Sequence, residues 1–293
     1  MYRLPSVGLV LLVIISLLKS SESYRDRTRR RPDSASLIIP TVRLCSKSRD
    51  MKLLCHCTPE SAKVTLQAEC WIIHNNFPRK DNTWLAFKSQ PQLTNLKLTI
   101  RGEGLLNYIP SEIFPDISTL QTVTIDYAQM TEVAGYAFAN LTQLKKITLN
   151  ENQIKVLRSH AFANHQSLDL LDLEDNQIIE VDRNAFVNIP NLTKLYLGKN
   201  NISILHDEVF IELGQLAELK LQSNFISVLT REMFKGLGNL KILRLTKNNI
   251  NFIGNTVFAE LWSLNELSLD SNNIEVRKYI CCAFTYKLNI NFS

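Results

Sequence analysis

The chain has 293 residues and 45% apolar content, enough for the core of one elongated domain and too much for a disordered polymer. Its formal net charge of +5 is local rather than general. Residues 1–23 carry Arg3 and Lys19 against Glu22, and Tyr24 to Ala35 carry five arginines against Asp26 and Asp33, which leaves about +1 for the rest. That balance excludes a body that is basic throughout.

Residues 1–23 are expected to be a secretory signal peptide: Arg3, the apolar run VGLVLLVIISLL, then the small residues Ser21 and Ser23. Cleavage is expected before Tyr24. The run is too short to span a bilayer comfortably, so no transmembrane helix is expected in the mature chain. Residues 24–40, with RDRTRRRPDS, read as a basic disordered arm. Its segment Arg25–Arg31 could touch a sulfated glycan, and Arg30 offers a basic protease site. Export argues against a nucleic-acid partner.

Residues 41–92 hold Cys45, Cys55, Cys57 and Cys70, spaced C-x9-C-x-C-x12-C. In an oxidising compartment these read as a disulfide-bonded cap over the upstream edge of the neighbouring segment. Four cysteines allow three pairings, and Cys55 with Cys57 would strain so short a loop, which leaves two open. Cys55-His56-Cys57 could suggest zinc, but four cysteines in an exported chain favour disulfides, and no metal or cofactor is expected.

Residues 93–277 are periodic. Asparagine falls at Asn152, Asn176, Asn200, Asn224, Asn248 and Asn272, and phenylalanine at Phe114, Phe138, Phe162, Phe186, Phe210, Phe234 and Phe258. The two series share one period, 24 residues, without slip, and that is the signature of a solenoid. Units such as LKKITLNENQIKVLRSHAFANHQS fit the leucine-rich-repeat pattern LxxLxLxxNxI. The predicted fold is therefore an α/β solenoid, a leucine-rich-repeat horseshoe with a parallel concave sheet and roughly eight coils.

Pairs such as Ile147–Leu149 and Leu171–Leu173 alternate as a short strand with one buried face. The asparagines form a structural ladder, because stacked amides can satisfy turning backbone that would otherwise be unpaired. The phenylalanines predict a buried spine. Leu93, Leu96 and Leu98 suggest an early strand, about three residues are inserted around Arg101–Gly104, and Ala128 takes the first expected asparagine position.

The strand residues between the buried leucines point to the concave side. They predict a partner-binding face containing Tyr127, Asp172, Glu174, Asp175, Lys194, Tyr196, Lys199, Arg244 and Lys247. An acidic patch at Asp172–Asp175 is followed by basic patches at Lys194–Lys199 and Arg244–Lys247. Such alternation suits a protein partner, including a second copy of the chain in a two-fold antiparallel dimer. Tyr127 and Tyr196 are the expected aromatic anchors.

Asn140, Asn191, Asn201 and Asn291 open Asn-x-Ser/Thr triplets, glycosylation acceptors in an exported chain. No GxSxG, HExxH or phosphate-cradling glycine loop is present, and His56, His74, His160, His165 and His206 fall out of register with any acid or nucleophile. The chain is not expected to be an enzyme. His165, at a spine position, reads as a hydrogen-bonded, partly buried histidine.

The cap phrases CSKSRDMKLLCHCTPE and AECWIIHNNF, with YAFANLTQLK, VDRNAFVNIPNL, TREMFKGLGNLKILRLTKNNI and TVFAELWSL, resemble the connectin-like insect leucine-rich-repeat cell-surface adhesion proteins, over about Cys45 to Ile274. That resemblance implies extracellular adhesion, between copies or with another protein, and a glycolipid anchor. Leucine-rich-repeat caps imply the pairing Cys45–Cys57 with Cys55–Cys70. A secreted matrix component that binds glycans is the alternative. The chain departs from the pattern after Ile274: Arg277 and Cys282 take positions expected to be apolar and phenylalanine. Residues 278–293 are expected to be an irregular tail of a truncated form. YKLNINFS lacks a glycolipid-anchor signal, so the anchor does not carry over, and the state of Cys281 and Cys282 stays open.

Overall fold

The structure, a computed structural model, describes residues 43–45, 52–59, 65–75, 77–254 and 256–274, and the backbone of 289–291. The expected signal peptide, basic arm, Arg277, Cys281 and Cys282 lie outside the described residues.

The strands in chain order are β1 (Leu53–Thr58), β2 (Gln67–Ile72), β3 (Asn95–Ile100), β4 (Thr122–Asp126), β5 (Glu132–Val133), β6 (Lys146–Thr148) and β7 (Val156–Leu157). Then come β8 (Leu170–Asp172), β9 (Glu180–Val181), β10 (Lys194–Tyr196), β11 (Glu218–Lys220), β12 (Ile242–Arg244), β13 (Glu266–Ser268) and β14 (Asn289–Asn291). Eleven of them form one sheet in the order β1-β2-β3-β4-β6-β8-β10-β11-β12-β13-β14. Only β1 and β2 pair antiparallel among the described strands; every later neighbour is parallel. The registers Leu171↔Leu195, Leu195↔Leu219 and Leu219↔Leu243 reproduce the 24-residue period.

The period-two leucines explain the strands. Leu171, Leu195, Leu219 and Leu243 are fully buried, as are Leu173, Leu197, Leu221 and Leu245 two residues on. Burying such a side chain contributes about 1.5–3 kcal/mol, so each coil is held mainly by apolar contact with the coils beside it. The phenylalanines form the spine: Phe114, Phe138, Phe162, Phe186 and Phe210 stack in succession at centroid separations of 5.8 to 6.2 Å. Phe258 lies tilted on Phe234.

The helical component of the fold is small. The described residues contain 3-10 turns at Asn82–Ser89, Ser111–Ile117 and Glu232–Phe234, and no α-helix. A 24-residue coil that gives up a strand and a turn has little chain left for a longer helix. A second small sheet, β5-β7-β9, runs alongside the first in the early coils.

Two irregularities of the sequence take definite shape. Leu96 pairs with Val123, 27 residues on, so the extra three residues lie in this coil. They are absorbed after β3 by a turn in which Gly104 N donates to Arg101 O at 2.9 Å, with Gly102 at φ +58°. A Cβ at Gly104 would fall 2.1 Å from Ile72 O, so only glycine fits there. The C-terminal residues expected to be irregular supply β14, whose Ile290 pairs with Leu267. The alternation Leu288, Ile290, Phe292 is a period-two signal that repeat counting passes over.

The cap is stapled by disulfides Cys45–Cys57 and Cys55–Cys70. Cys55 and Cys70 face each other across the β1–β2 pair. Beneath them Trp84 packs against Phe77, and its indole N–H donates to Tyr108 Oη at 3.1 Å. Burial, opposed in part by that bond, pushes the Tyr108 phenol up to about 12.

Candidate functional site

Each coil presents three alternate residues, beginning at the first residue of its strand, and then a turn residue on the solvent side of the sheet. Across β4, β6, β8, β10, β11, β12 and β13 the middle position reads Thr124, Thr148, Asp172, Tyr196, Lys220, Arg244, Ser268. The turn position reads Tyr127, Glu151, Asp175, Lys199, Ser223, Lys247, Ser271, and all seven adopt left-handed φ between 53° and 61°. Non-glycine residues rarely sit there. The gain is continued pairing: Asp175 N donates to Gly198 O, Lys199 N to Gln222 O, and Ser223 N to Thr246 O, each at 3.2 Å or less. The left-handed bend aims each N–H at the next coil just before the chain leaves the sheet.

The asparagine ladder follows immediately. Asn200 Nδ2 donates to Leu173 O, Leu197 O and Gly198 O, and its Oδ1 accepts from Ile178 N at 2.9 Å. Asn176, Asn224, Asn248 and Asn272 repeat the pattern, each accepting from the isoleucine 22 residues before it. Asn152 differs: its Oδ1 accepts from Ala128 N at 2.6 Å instead. Ala128 has no side-chain amide, and its backbone N–H donates to the Asn152 side-chain oxygen.

The charges are less separated than the sequence pattern suggests. Lys199 Nζ lies 2.8 Å from Asp175 Oδ2, across the boundary between the expected acidic and basic patches. That carboxylate holds the Lys199 ammonium pKa above its ordinary value. Arg244 pairs with Glu266 at 2.9 Å, and Lys97 with Asp126 at 3.2 Å. Asp172 Oδ1 accepts from the Glu174 N–H, and Glu174 Oε1 accepts from Gln222 Nε2 at 2.7 Å. This last bond joins coils two apart by passing over Gly198, where a Cβ would sit 2.3 Å from Gln222 Nε2. Lys194 and Lys247 are exposed.

The two tyrosines behave differently. Tyr196 is held in place: its hydroxyl donates to Glu218 at 3.1 Å and Lys220 Nζ sits 3.7 Å from its ring centroid. Burial, then the Glu218 carboxylate, pushes its phenol up to about 12. Tyr127 is 51% exposed at the turn, with Glu151 holding its phenol above its usual range. Asp126 and Thr148, on the same face, are nearly covered. Gly198, Gln222 and the left-handed row had no signal in the repeat consensus, since their identities share no chemistry.

Away from the face, Asn140, Asn191 and Asn201 are exposed, and Asn291 lies in β14. His165 is 3% exposed, with Nδ1 3.2 Å from Leu141 O, and burial holds its imidazolium pKa below the ordinary 6.5. Among the described residues no group of three or more His, Cys, Asp or Glu side chains could hold a metal, and no helix is long and apolar enough to cross a membrane.

Sheet, ladder and spine define a class. A BspA-type leucine-rich repeat region model matches in six copies over residues 85–210, and a leucine-rich repeat model matches residues 214–274. Together they span more than half of the chain, which belongs to the leucine-rich-repeat proteins. Within that class it is similar to connectin of Drosophila melanogaster: 97 residues, 33% of this chain, are 50% identical. The match spans 14% of connectin's length. Among solved structures, an internalin of Listeria monocytogenes matches with TM-score 0.53 and 24% identity, covering 70% of this chain and 55% of the internalin. A chain of the Drosophila Toll–Spatzle complex matches with TM-score 0.52 and 19% identity, covering 67% of this chain and 32% of its own length. At those identities the two structures speak for the fold alone.

Proposed function

We propose that this chain is an extracellular protein-recognition solenoid acting in cell adhesion through its sheet face, with a second copy of itself as the leading partner. The observation that carries this reading is the order of charge along one sheet: Asp172, Glu174 and Asp175 in one coil, then Lys194, Lys199, Arg244 and Lys247 in later ones. Two copies facing each other across a two-fold axis that lies along the strands, their coils running in opposite order, would set each acidic segment against the other's basic segment. Tyr127, open to solvent, supplies an aromatic anchor at one end of the face. The internal pairs Asp175–Lys199 and Arg244–Glu266 preorganise those side chains. Similarity to connectin supports the adhesive setting.

The test is display of the chain on non-adherent cells. Wild-type cells are expected to aggregate with one another. Reversal of Asp172, Glu174 and Asp175 to lysine should reduce that aggregation by roughly tenfold or more, a loss of about 1.4 kcal/mol or greater. Mixing that variant with one carrying Glu at Lys194, Lys199, Arg244 and Lys247 should restore it. Unchanged aggregation and unchanged partner binding would remove the face from the reading. A matrix role is the second reading, motivated by the five arginines of Tyr24 to Ala35. Retention on heparin that disappears when Arg25–Arg31 is deleted would favour it.

A further inference from the structure

The flank just beyond the asparagine ladder carries a second feature. Residues one position after the ladder stack coil upon coil: Asn201 N donates to Ile178 O, Phe225 N to Ile202 O, Asn249 N to Ile226 O and Asn273 N to Ile250 O, at 2.8 to 3.0 Å. All four line a shallow groove, together with Lys199, Ser223, Lys247 and Ser271. Phe225, 53% exposed, is the aromatic in that row, set between the amides of Asn201 and Asn249. Three residues further along each coil, Ile204, Val228 and Phe252 are 73%, 62% and 59% exposed. Val228 and Phe252 are bridged as neighbours. Earlier coils place Glu132, the half-buried Val156 and Glu180 at the same position, Glu132 paired with Arg158, so that charge flanks the one apolar residue there. The apolar row therefore belongs to the later coils, and its upstream boundary is the coil of Asn201. Contiguous exposed apolar surface of this kind is a liability unless something covers it.

Asn201 opens the triplet Asn201-Ile202-Ser203. Its side chain is exposed, and among the described residues no hydrogen bond engages it. Asn191 contrasts with it, since Asn191 Nδ2 donates to Gln166 O at 2.7 Å.

We propose that Asn201 carries an N-linked glycan whose first sugars lie along this groove against Phe225 and whose branches cover the row Ile204, Val228 and Phe252. In forming the bond, Asn201 Nδ2 attacks C1 of the first N-acetylhexosamine of a lipid-linked oligosaccharide. It loses one proton, and the lipid diphosphate departs. The chemistry of the groove suits the product. A pyranose ring has a face of C–H groups that packs on the electron-rich face of an aromatic ring. The amides of Asn249 and Asn273 and the hydroxyls of Ser223 and Ser271 offer hydrogen-bond partners to sugar hydroxyls. One coil step, about 4.8 Å, places Phe225 within reach of the first sugar. The proposal rests on the reading that the chain is exported. It assigns this flank to a glycan and leaves Asp172, Glu174, Lys194 and Arg244 of the sheet face to protein recognition, with Lys199 and Lys247 on the border that the two share.

The experiment uses the full chain secreted from glycosylating cells, with site-resolved mass spectrometry and enzymatic glycan release from the folded protein. Asn201 is expected to be occupied, and its glycan to be released roughly tenfold more slowly than that of Asn140, the effect of about 1.4 kcal/mol of seating. Phe225→Ser should bring the two rates together. Asn201→Gln and Ser203→Ala should each raise binding of a hydrophobic dye severalfold; the second leaves every groove residue in place. A chain with Asn140 glycosylated and Asn201 bare would overturn the proposal while export stands. So would equal release rates in the wild type, or unchanged dye binding in both variants. A chain that stays in the cytosol without any glycan would overturn the proposal and the export reading together.

Discussion

Asn200 shows what one residue does in this fold. Its amide serves three carbonyls and one N–H drawn from its own coil and the one before, and it is 3% exposed. Asn200→Ala would leave the Ile178 N–H buried without its acceptor, so a loss of about 1–3 kcal/mol in unfolding free energy is expected from denaturant titration. Asn272→Ala should cost less, because Asn272 is only partly buried. His165 gives a prediction with a sign. Burial lowers its folded pKa below 6.5, so the unfolded chain takes up the proton first. The stabilisation from the neutral ring is complete above pH 6.5 and declines as pH falls from there through the lower folded value. Unfolding titrations across that range should show this decline, and His165→Leu should remove that component. Both residues were legible in the sequence, one as a register and the other as a polar substitute in a spine. The left-handed row was not. Tyr127, Glu151, Asp175, Lys199, Ser223 and Lys247 share a backbone angle that accompanies their inter-coil hydrogen bonds, Ser271 keeps the same angle, and no side-chain property announces it.

At the scale of elements, the cap is the exception to the parallel rule. β1 runs antiparallel to β2, which in turn pairs parallel with β3, so the pair closes the open edge of the first coil. Leu44, Leu53 and Ala68 are buried beneath it. The Cys45–Cys57 disulfide spans 12 residues. Its removal by the double substitution Cys45→Ser and Cys57→Ser should lower stability by about 2–3 kcal/mol. Hydrogen exchange should show the loosening concentrated in β1 to β3, with β8 to β12 protected as before. The cysteine spacing made a cap readable, and the resemblance implied its pairing. Its strand direction was not readable, because antiparallel and parallel edge strands alternate identically. The face charges were legible as residues but not as pairs: Lys199 and Asp175 are 24 positions apart and meet only after the coils stack.

At the scale of the whole molecule, each coil leans mainly on its neighbours, so the solenoid should tolerate changes of length in whole units. Excision of residues 216–239, one period by the pairing of Leu219 with Leu243, is expected to leave a cooperatively unfolding chain of lower Tm. Excision of half that stretch would turn every downstream leucine out of phase and should abolish the transition in a thermal melt followed by circular dichroism. The tolerance should be weakest around Gly198. Glu174 and Gln222 clasp hands over that coil, and a clasp that skips a unit couples second neighbours, which a chain of independent links does not have. The middle of the solenoid is thus braced like a beam with a strut across its joint, and the strut exists only because the coil beneath it lacks one methyl group.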